Sequence, residues 1–230
     1  MFDQAPNYIL RYFSYALKDN LKFVTFRDGK FVKKKWMTAA EHTKMLEQDP
    51  LYLEMRRKQA LERQRKEEML AADVAPLARD LMAVGINIQS SWDLVAEAIP
   101  YTQAIPILLK HLHYPYHDRN LEGIARSLAV PDAGAYWSEL KELYIQADPE
   151  SGVKDGLAVA LSVAADDTVF NELVLLLKDP SHGRSRMLLT GALKKSRHPQ
   201  LKQVIADLAQ DDLFAKEIAS WGRRWSPARK

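Results

Sequence analysis

The chain of 230 residues contains no cysteine. Without thiols it forms no disulfide, binds no metal through thiolates and uses no cysteine nucleophile. Only 9 glycines are present, while alanine and leucine are frequent, which favours a helical fold. No apolar run reaches the roughly 20 residues that a membrane-spanning helix needs, and the N-terminus lacks the pattern of a secretory signal. We therefore expect a cytoplasmic protein with no membrane contact.

The charge balance is close to neutral, with a net charge of +3. A dedicated nucleic-acid-binding domain is usually more basic. The cations are clustered, however, and two groups form candidate basic patches that would contact phosphate or an acidic partner. These groups are Lys33, Lys34 and Lys35 in the N-terminal third, and Arg223 and Arg224 near the C-terminus.

Residues 1–75 are predicted to form an N-terminal part that contains both helix and strand. Apolar spacing favours a first helix from Asn7 to Lys18. Two β-prone runs then flank Asp28-Gly29, a pair that favours a type I′ turn, so we expect a β-hairpin there. Thr38 to Glu41 has the spacing of a capping box and predicts the start of a short helix.

A long charged helix follows, because Asp49-Pro50 supplies an N-cap and a first-turn proline. The segment from Leu51 to Ala72 has only a thin apolar stripe, which is typical of an exposed connector helix. A helix that binds a partner or dimerises is the alternative. Two further helices are predicted, one after Pro76 that ends at Gly85 and one from Trp92 to Ile99.

Apolar triads recur along the rest of the chain, each spaced three and then four residues so that it shares one helical face. The triads are Ile105-Leu108-Leu112, Trp137-Leu140-Tyr144, Phe170-Leu173-Leu177 and Leu201-Val204-Leu208. Successive triads are offset by 32, 33 and 31 residues. A fixed period of this length indicates repeats whose stacking buries a core that no single unit can bury.

A second helix is predicted in each repeat, with large residues enclosing small ones. Its copies are Ile124–Leu128, Leu157–Leu161, Leu189–Leu193 and, more loosely, Ile218–Gly222. Prolines at 115, 149 and 180 fall between the paired helices, where a turn is needed. Residues 76–230 are therefore predicted to be all-α, with about four to five antiparallel helix pairs and an atypical last unit.

This large-small-x-small-large pattern resembles HEAT-like repeats, including the bacterial forms with short repeats, over about residues 103–223. The Asp-then-Arg pair with which the family's second helix begins is clear only at Asp118-Arg119. The tetratricopeptide signature is absent. The resemblance implies an α-solenoid, which is an architecture and not an activity.

The sequence contains no convincing catalytic constellation, and we expect neither a cofactor nor a metal. His111, His113 and His117 are close together, but two of them face different sides of a helix and Pro115 interrupts the segment, so we predict a surface turn with aromatic packing. The paired carboxylates at Asp166-Asp167 and Asp211-Asp212 precede helices and are interpreted as N-caps.

We therefore predict a protein–protein interaction scaffold whose concave face, formed by the second helices, binds an acidic partner. The predicted partner-binding residues are Arg119, Arg126, Lys154, Arg184, Arg186, Lys194 and Lys195. The alternative is a nucleic-acid-binding HEAT-like protein similar to the alkylpurine DNA glycosylases, an enzyme family that uses aromatic and carboxylate groups at the damaged base. Residues that would supply such groups are Trp92, Asp93, Trp137 and Trp221, with Arg184, Arg186, Arg223 and Arg224.

Overall fold

The computed structural model describes residues 38–95 and 101–222, together with the backbone of four short strands nearer the N-terminus. The strands are β1 (Ala16–Leu17), β2 (Asn20–Leu21), β3 (Val24–Arg27) and β4 (Lys30–Lys33). The helices are α1 (Ala39–Leu46), α2 (Pro50–Asp73), α3 (Ala75–Met82), α4 (Ile105–Leu112), α5 (Asp118–Ser127), α6 (Trp137–Gln146), α7 (Gly152–Ala164), α8 (Phe170–Lys178), α9 (Arg186–Leu193), α10 (Leu201–Leu208) and α11 (Asp212–Trp221). The chain divides into two compact units, Met1–Lys66 and Glu67–Lys230. The described fold is all-α apart from the short strands, as predicted.

The strands of the first unit form two antiparallel pairs, β1 with β2 and β3 with β4. Arg27 lies opposite Lys30, and the turn residues of the predicted hairpin lie outside the described residues. The same holds for most of the predicted helix from Asn7 to Lys18. At its end the helix prediction is wrong, because Ala16–Leu17 pairs with Asn20–Leu21 as a strand.

Side-chain caps fix where α1 and α2 begin. The Thr38 hydroxyl accepts from Glu41 N at 3.2 Å, and the Glu41 carboxylate accepts from Thr38 N at 2.8 Å, which completes the predicted capping box. Asp49 Oδ1 accepts from Leu51 N at 2.9 Å, and Pro50 is the first residue of α2. No residue of α2 is buried, and all of its residues except the half-buried Tyr52, Leu70 and Asp73 are exposed.

The chain leaves α3 through Gly85, whose φ of +82° is the left-handed conformation expected of a glycine that ends a helix. Ile86 N donates back to Leu81 O at 3.0 Å. The predicted helix from Trp92 to Ile99 is shorter in its described part, where only a 3₁₀ turn covers Asp93–Val95. Residues 96–100 lie outside the described residues.

The core follows the apolar triads, since all of their residues are buried. Each predicted first helix also contacts its predicted second helix: α4 packs on α5, α6 on α7, α8 on α9 and α10 on α11. In the first three second helices, the large residues at the two ends of the large-small-x-small-large pattern are exposed by 2% or less. Burial of these large apolar side chains is the main stabilising contribution to this unit.

The second helices also pack on one another in chain order, α5 on α7 and α7 on α9. Gly156 permits the first contact, because a Cβ there would lie 2.7 Å from Ala125 Cβ and 2.8 Å from Glu122 O. At the second contact a Cβ on Gly191 would lie 2.5 Å from Ser162 Oγ. The α5–α7 contact is therefore closer than an alanine would allow, whereas at the α7–α9 contact the Ser162 hydroxyl would have to rotate away.

Carboxylates from a preceding segment satisfy the free N–H groups at the starts of two second helices. Asp118 accepts from Gly152 N at 2.8 Å and from Val153 N at 3.0 Å, which joins the start of α5 to the start of α7. Asp73, the last residue of α2, accepts from His117 N at 2.9 Å. These bonds fix the position of each helix start relative to the segment before it.

Candidate partner-binding surface

Two of the predicted cations lie together on α5, where one carboxylate holds both. Arg119 Nη1 lies 3.0 Å from one oxygen of Glu122, and Arg126 Nε lies 2.9 Å from the other. The Arg119 guanidinium stacks 3.7 Å from the ring centre of Trp92, and Trp92 Nε1 donates to Arg119 O at 3.1 Å. We call these four residues the α5 cluster. Its two positive charges are partly neutralised by the one carboxylate.

The neighbouring part of α7 adds another carboxylate. Burial raises the pKa of Asp155, and the nearby Arg126 opposes that rise while Glu122 and Asp118 add to it. The exposed side of α5 and α7 is therefore of mixed charge, whereas we predicted a basic concave face.

Lys154 does not lie on a surface, which corrects the prediction for this residue. Its side chain is buried, and its ammonium donates to Tyr144 O at 2.8 Å and to Ala147 O at 2.9 Å. The ammonium also lies 4.6 Å from the centre of the Tyr144 ring. Lys154 thus caps the C-terminal carbonyls of α6, at the negative end of that helix. Burial lowers the pKa of Lys154 and raises that of Tyr144 to about 12.

Arg186 has the same role in the next repeat and is likewise buried, against the prediction. Its Nη1 donates to Leu177 O at 3.0 Å, near the end of α8, and to Asp211 Oδ2 at 3.1 Å. Asp211 in turn caps α11 by accepting from Leu213 N, as predicted for that carboxylate. Both buried cations therefore stabilise helix ends and are not available to a partner.

The remaining predicted cations, Arg184, Lys194 and Lys195, are exposed. Lys194 Nζ lies 2.8 Å from Glu217 Oε1 and 4.7 Å from the centre of the Trp221 ring. Within residues 38–95 and 101–222, no ion pair involves the charged group of Arg184 or Lys195. Among the described residues, no hydrogen bond or ion pair joins these cations to the α5 cluster, so the predicted set separates into two groups.

The sequence prediction missed Arg197, which lines an open cavity of about 230 Å³ together with Lys195. Both follow α9 in the stretch Lys194-Lys195-Ser196-Arg197. That concentration of positive charge was visible in the sequence and extends the predicted cations by one residue. We call Lys195 and Arg197 the α9 cation pair.

The two candidate basic patches fall almost entirely outside the described residues. Of Lys33, Lys34 and Lys35, only the first has a described backbone, at the end of β4. Arg223 and Arg224 follow the last described residue. Their role as basic patches stays a prediction.

The neighbouring histidines make different contacts and do not form one site. His111 is buried, against the predicted surface turn, with Nδ1 2.7 Å from the Tyr116 hydroxyl and Nε2 3.0 Å from Asp80 Oδ2. It also stacks on Tyr114 at 4.7 Å between ring centres, which is the predicted aromatic packing. His117 Nδ1 accepts from Arg119 N and caps α5. Among the described residues, no group of three suitable side chains is placed to hold a metal ion.

The residues named for a glycosylase-like site have separate structural contacts. Trp137 is buried and donates from Nε1 to Glu172 at 3.0 Å. Asp93 accepts from the backbone N–H groups of Gln89 and Ser90. Trp221 is buried and donates to Glu217 at 2.8 Å. None of these side chains lines the described cavity beside α9.

The described residues include no helix that is both long enough and apolar enough to cross a bilayer. Comparison of the chain with protein-family models, curated proteins and solved structures finds no match.

Proposed function

We propose that residues 103–222 form a HEAT-like α-solenoid that acts as a protein-interaction scaffold and binds a partner with an acidic surface. The observation that carries the proposal is the packing of α5 on α7 and of α7 on α9 in chain order. These three second helices then add their exposed sides to one continuous surface, as stacked repeats do.

The close packing of this layer also favours binding, because a surface that is already ordered loses little conformational entropy when a partner docks. Gly156 and Gly191 bring the helices together, and the carboxylate of Asp118 ties the start of α5 to the start of α7. The scaffold would therefore present its side chains in fixed positions.

The exposed cations supply the preference for an acidic partner. Arg119 and the partly buried Arg126 contribute at α5, while Arg184, Lys194 and Lys195 contribute around α9. The buried Lys154 and Arg186 contribute only to stability. Since Glu122 and Glu217 already neutralise part of this charge, electrostatics would set the rate and specificity of association more than its total strength.

Affinity capture from the native host, followed by mass spectrometry, tests this function. The baits are the wild-type chain, an Arg184→Glu/Lys195→Glu double variant, and Lys202→Glu as a matched control at an exposed cation of α10. We expect one or a few proteins to be retained by the wild type and the control and lost from the double variant. Retention of the same proteins by all three baits would contradict the basic surface, and retention of none by the wild type would contradict the scaffold.

Capture after nuclease treatment distinguishes a protein that binds the chain directly from one that is held through a nucleic acid. A protein that binds directly stays on the bait when DNA and RNA are digested. Loss of every captured protein on digestion, with a gel shift of nucleic acid by the purified chain, would replace the protein partner with a nucleic acid.

A further inference from the structure

The positive charge of the long helix α2 is concentrated between residues 56 and 66. Six arginines and lysines occur there against one carboxylate, Glu62. Every residue from 53 to 69 is exposed, so this part of α2 presents all of its sides to solvent. Because like charges repel along a helix, such an excess of one sign costs stability unless a binding partner neutralises it.

Five polar side chains without a carboxylate share one face of this helix. They follow one another at intervals of four, three, four and three residues, which places them within an arc of about 80°. We call them the α2 stripe: Tyr52, Arg56, Gln59, Arg63 and Lys66. The Arg56 guanidinium lies 6.0 Å from the centre of the Tyr52 ring. Among the described residues, no ion pair involves the three cations of the stripe, which therefore have no counter-charge.

The rest of the circumference has the same number of cations but also carboxylates. Arg57, Lys58 and Arg65 lie there by helical spacing, together with Glu54 and Glu62. Glu54 accepts an ion pair from Lys58 at 2.9 Å. The positive charge of this segment is therefore balanced in part on one side of α2 and unbalanced on the side of the stripe.

The composition of the stripe argues against a protein groove, a second copy and a membrane. A helix that docks into a protein groove or pairs as a coiled coil uses apolar residues at this spacing, and two identical stripes would repel each other. A membrane-surface helix needs a continuous apolar face, whereas Leu53, Met55 and Leu61 point in different directions by helical spacing. A row of phosphates matches the stripe, because guanidinium groups bind phosphate oxygens bidentately.

The exposure of the helix on all sides favours one kind of nucleic acid. The major groove of B-DNA, about 12 Å wide, admits an α-helix, whereas the major groove of double-stranded RNA is too narrow. Single strands bind to rows of aromatic side chains, and the stripe contains only the half-buried Tyr52. Duplex DNA is therefore the partner that fits both the charge and the exposure of this segment.

We propose that residues 53–66 of α2 bind duplex DNA in its major groove, with Arg56, Arg63 and Lys66 on the phosphate backbone. Phosphate contacts carry no sequence information, so this binding does not depend on the base sequence. It is an activity beyond the proposed scaffold, and it belongs to a different part of the chain from α5, α7 and α9.

The test is fluorescence anisotropy of a labelled duplex of about 25 base pairs, titrated with the full chain at several salt concentrations from roughly 50 mM upward. The stripe variant is Arg56→Gln/Arg63→Gln/Lys66→Gln. The matched control is Arg57→Gln/Lys58→Gln/Arg65→Gln, which removes the same charge from the other side of α2. All six positions are exposed, so both variants should keep the circular dichroism spectrum of wild type.

We expect wild type to bind the duplex and the stripe variant to bind it about tenfold or more weakly at the lowest salt concentration. Loss of three phosphate contacts should also lower the slope of log affinity against log salt concentration by about three. The control variant should lose less than about threefold in affinity. Equal losses in the two variants, or none in either, would overturn the proposal, as would no binding of the duplex by wild type up to about 100 μM protein.

Three further probes check the identity of the partner. We expect single-stranded DNA, double-stranded RNA and poly-L-glutamate of similar length each to bind more weakly than the DNA duplex. Equal or tighter binding of either nucleic acid would overturn the assignment to duplex DNA, and equal or tighter binding of poly-L-glutamate would replace it with an acidic polypeptide. These titrations use purified components, whereas the scaffold is tested by proteins that stay captured after nuclease digestion, so failure of one is distinguishable from failure of the other.

Discussion

At the scale of single residues, the position of a cation relative to the apolar pattern decides whether it is a surface group. Lys154 stands three residues before Leu157, and Arg186 stands three residues before Leu189, so each shares the buried face of its helix. Arg126 stands two residues after Ile124 and is only partly buried. Helical spacing therefore distinguishes the two buried cations from the partly buried one. Proximity to a second helix, on which the prediction was based, does not.

Replacement of Lys154 by alanine should destabilise the protein strongly. The change leaves Tyr144 O and Ala147 O without their donor and opens a cavity in the core. We expect the free energy of unfolding to fall by about 2–4 kcal/mol in urea titrations. Lys195→Ala, at an exposed position, should stay within about 0.5 kcal/mol of wild type. Equal effects of the two substitutions would contradict the capping role of Lys154.

Asp80 should make stability depend on pH in the acid range. Hydrogen bonds from Lys110 at 2.9 Å and His111 at 3.0 Å lower the pKa of this carboxyl to about 2. Because the folded pKa lies below the unfolded one, the ionised carboxylate stabilises the fold above its ordinary pKa of about 4, and this contribution is lost as pH falls towards about 2.

Urea midpoints measured from pH 5 to pH 2 test this dependence. Asp80→Asn should flatten the loss of stability in that range. Lys110→Met should also reduce the loss, because the hydrogen bond from Lys110 is the largest cause of the lowered pKa. Its effect should be smaller than that of Asp80→Asn, since the bond from His111 remains. An unchanged pH profile in Asp80→Asn would show that other carboxylates carry the acid dependence.

At the scale of elements, the 3-then-4 spacing of the triads predicted the first helices and their buried faces, because helical periodicity determines which residues can share a core. Local capping chemistry predicted the starts of α1 and α2. The segment from Trp92 was less predictable, since a few apolar residues do not distinguish a 3₁₀ turn from a helix. The cavity beside α9 was not predictable, because it depends on how α8 and α9 meet.

Gly156→Ala should separate α5 from α7. The new Cβ would lie 2.7 Å from Ala125 Cβ and 2.8 Å from the backbone oxygen of Glu122, so a helix must move. We expect a loss of about 1–3 kcal/mol, even though alanine favours helix more than glycine does. Gly222→Ala is the control, since its Cβ would lie no closer than 3.4 Å to Ala219 O. An unaltered urea midpoint in Gly156→Ala would contradict the close α5–α7 contact.

The amide protons of α2 should exchange much faster than those of α7. No residue of α2 is buried, and a Glu54–Lys58 ion pair at 2.9 Å adds little in water, whereas most residues of α7 lie in the core. Hydrogen–deuterium exchange followed by peptide mass spectrometry measures the difference. Similar protection of both helices in the isolated protein would indicate that α2 is covered by a contact of the chain with itself or with a second copy.

At the scale of the whole molecule, the proposed scaffold depends on the repeats behaving as one surface. The period near 32 residues was visible in the sequence and predicted the order of the helix pairs. The charge of the surface was not visible to the same degree, because Glu122 and Glu217 reduce the effect of the cations beside them. The partner should therefore recognise mainly a few exposed cations around α9.

Titration calorimetry of the captured partner against the full chain tests this account most directly, with wild type, Arg184→Glu/Lys195→Glu and Lys202→Glu compared at roughly 50 and 300 mM salt. We predict that the affinity of wild type and of Lys202→Glu falls as salt rises, and that the double variant binds about tenfold or more weakly at the lower salt concentration. Equal affinity of all three proteins at both salt concentrations would contradict the account.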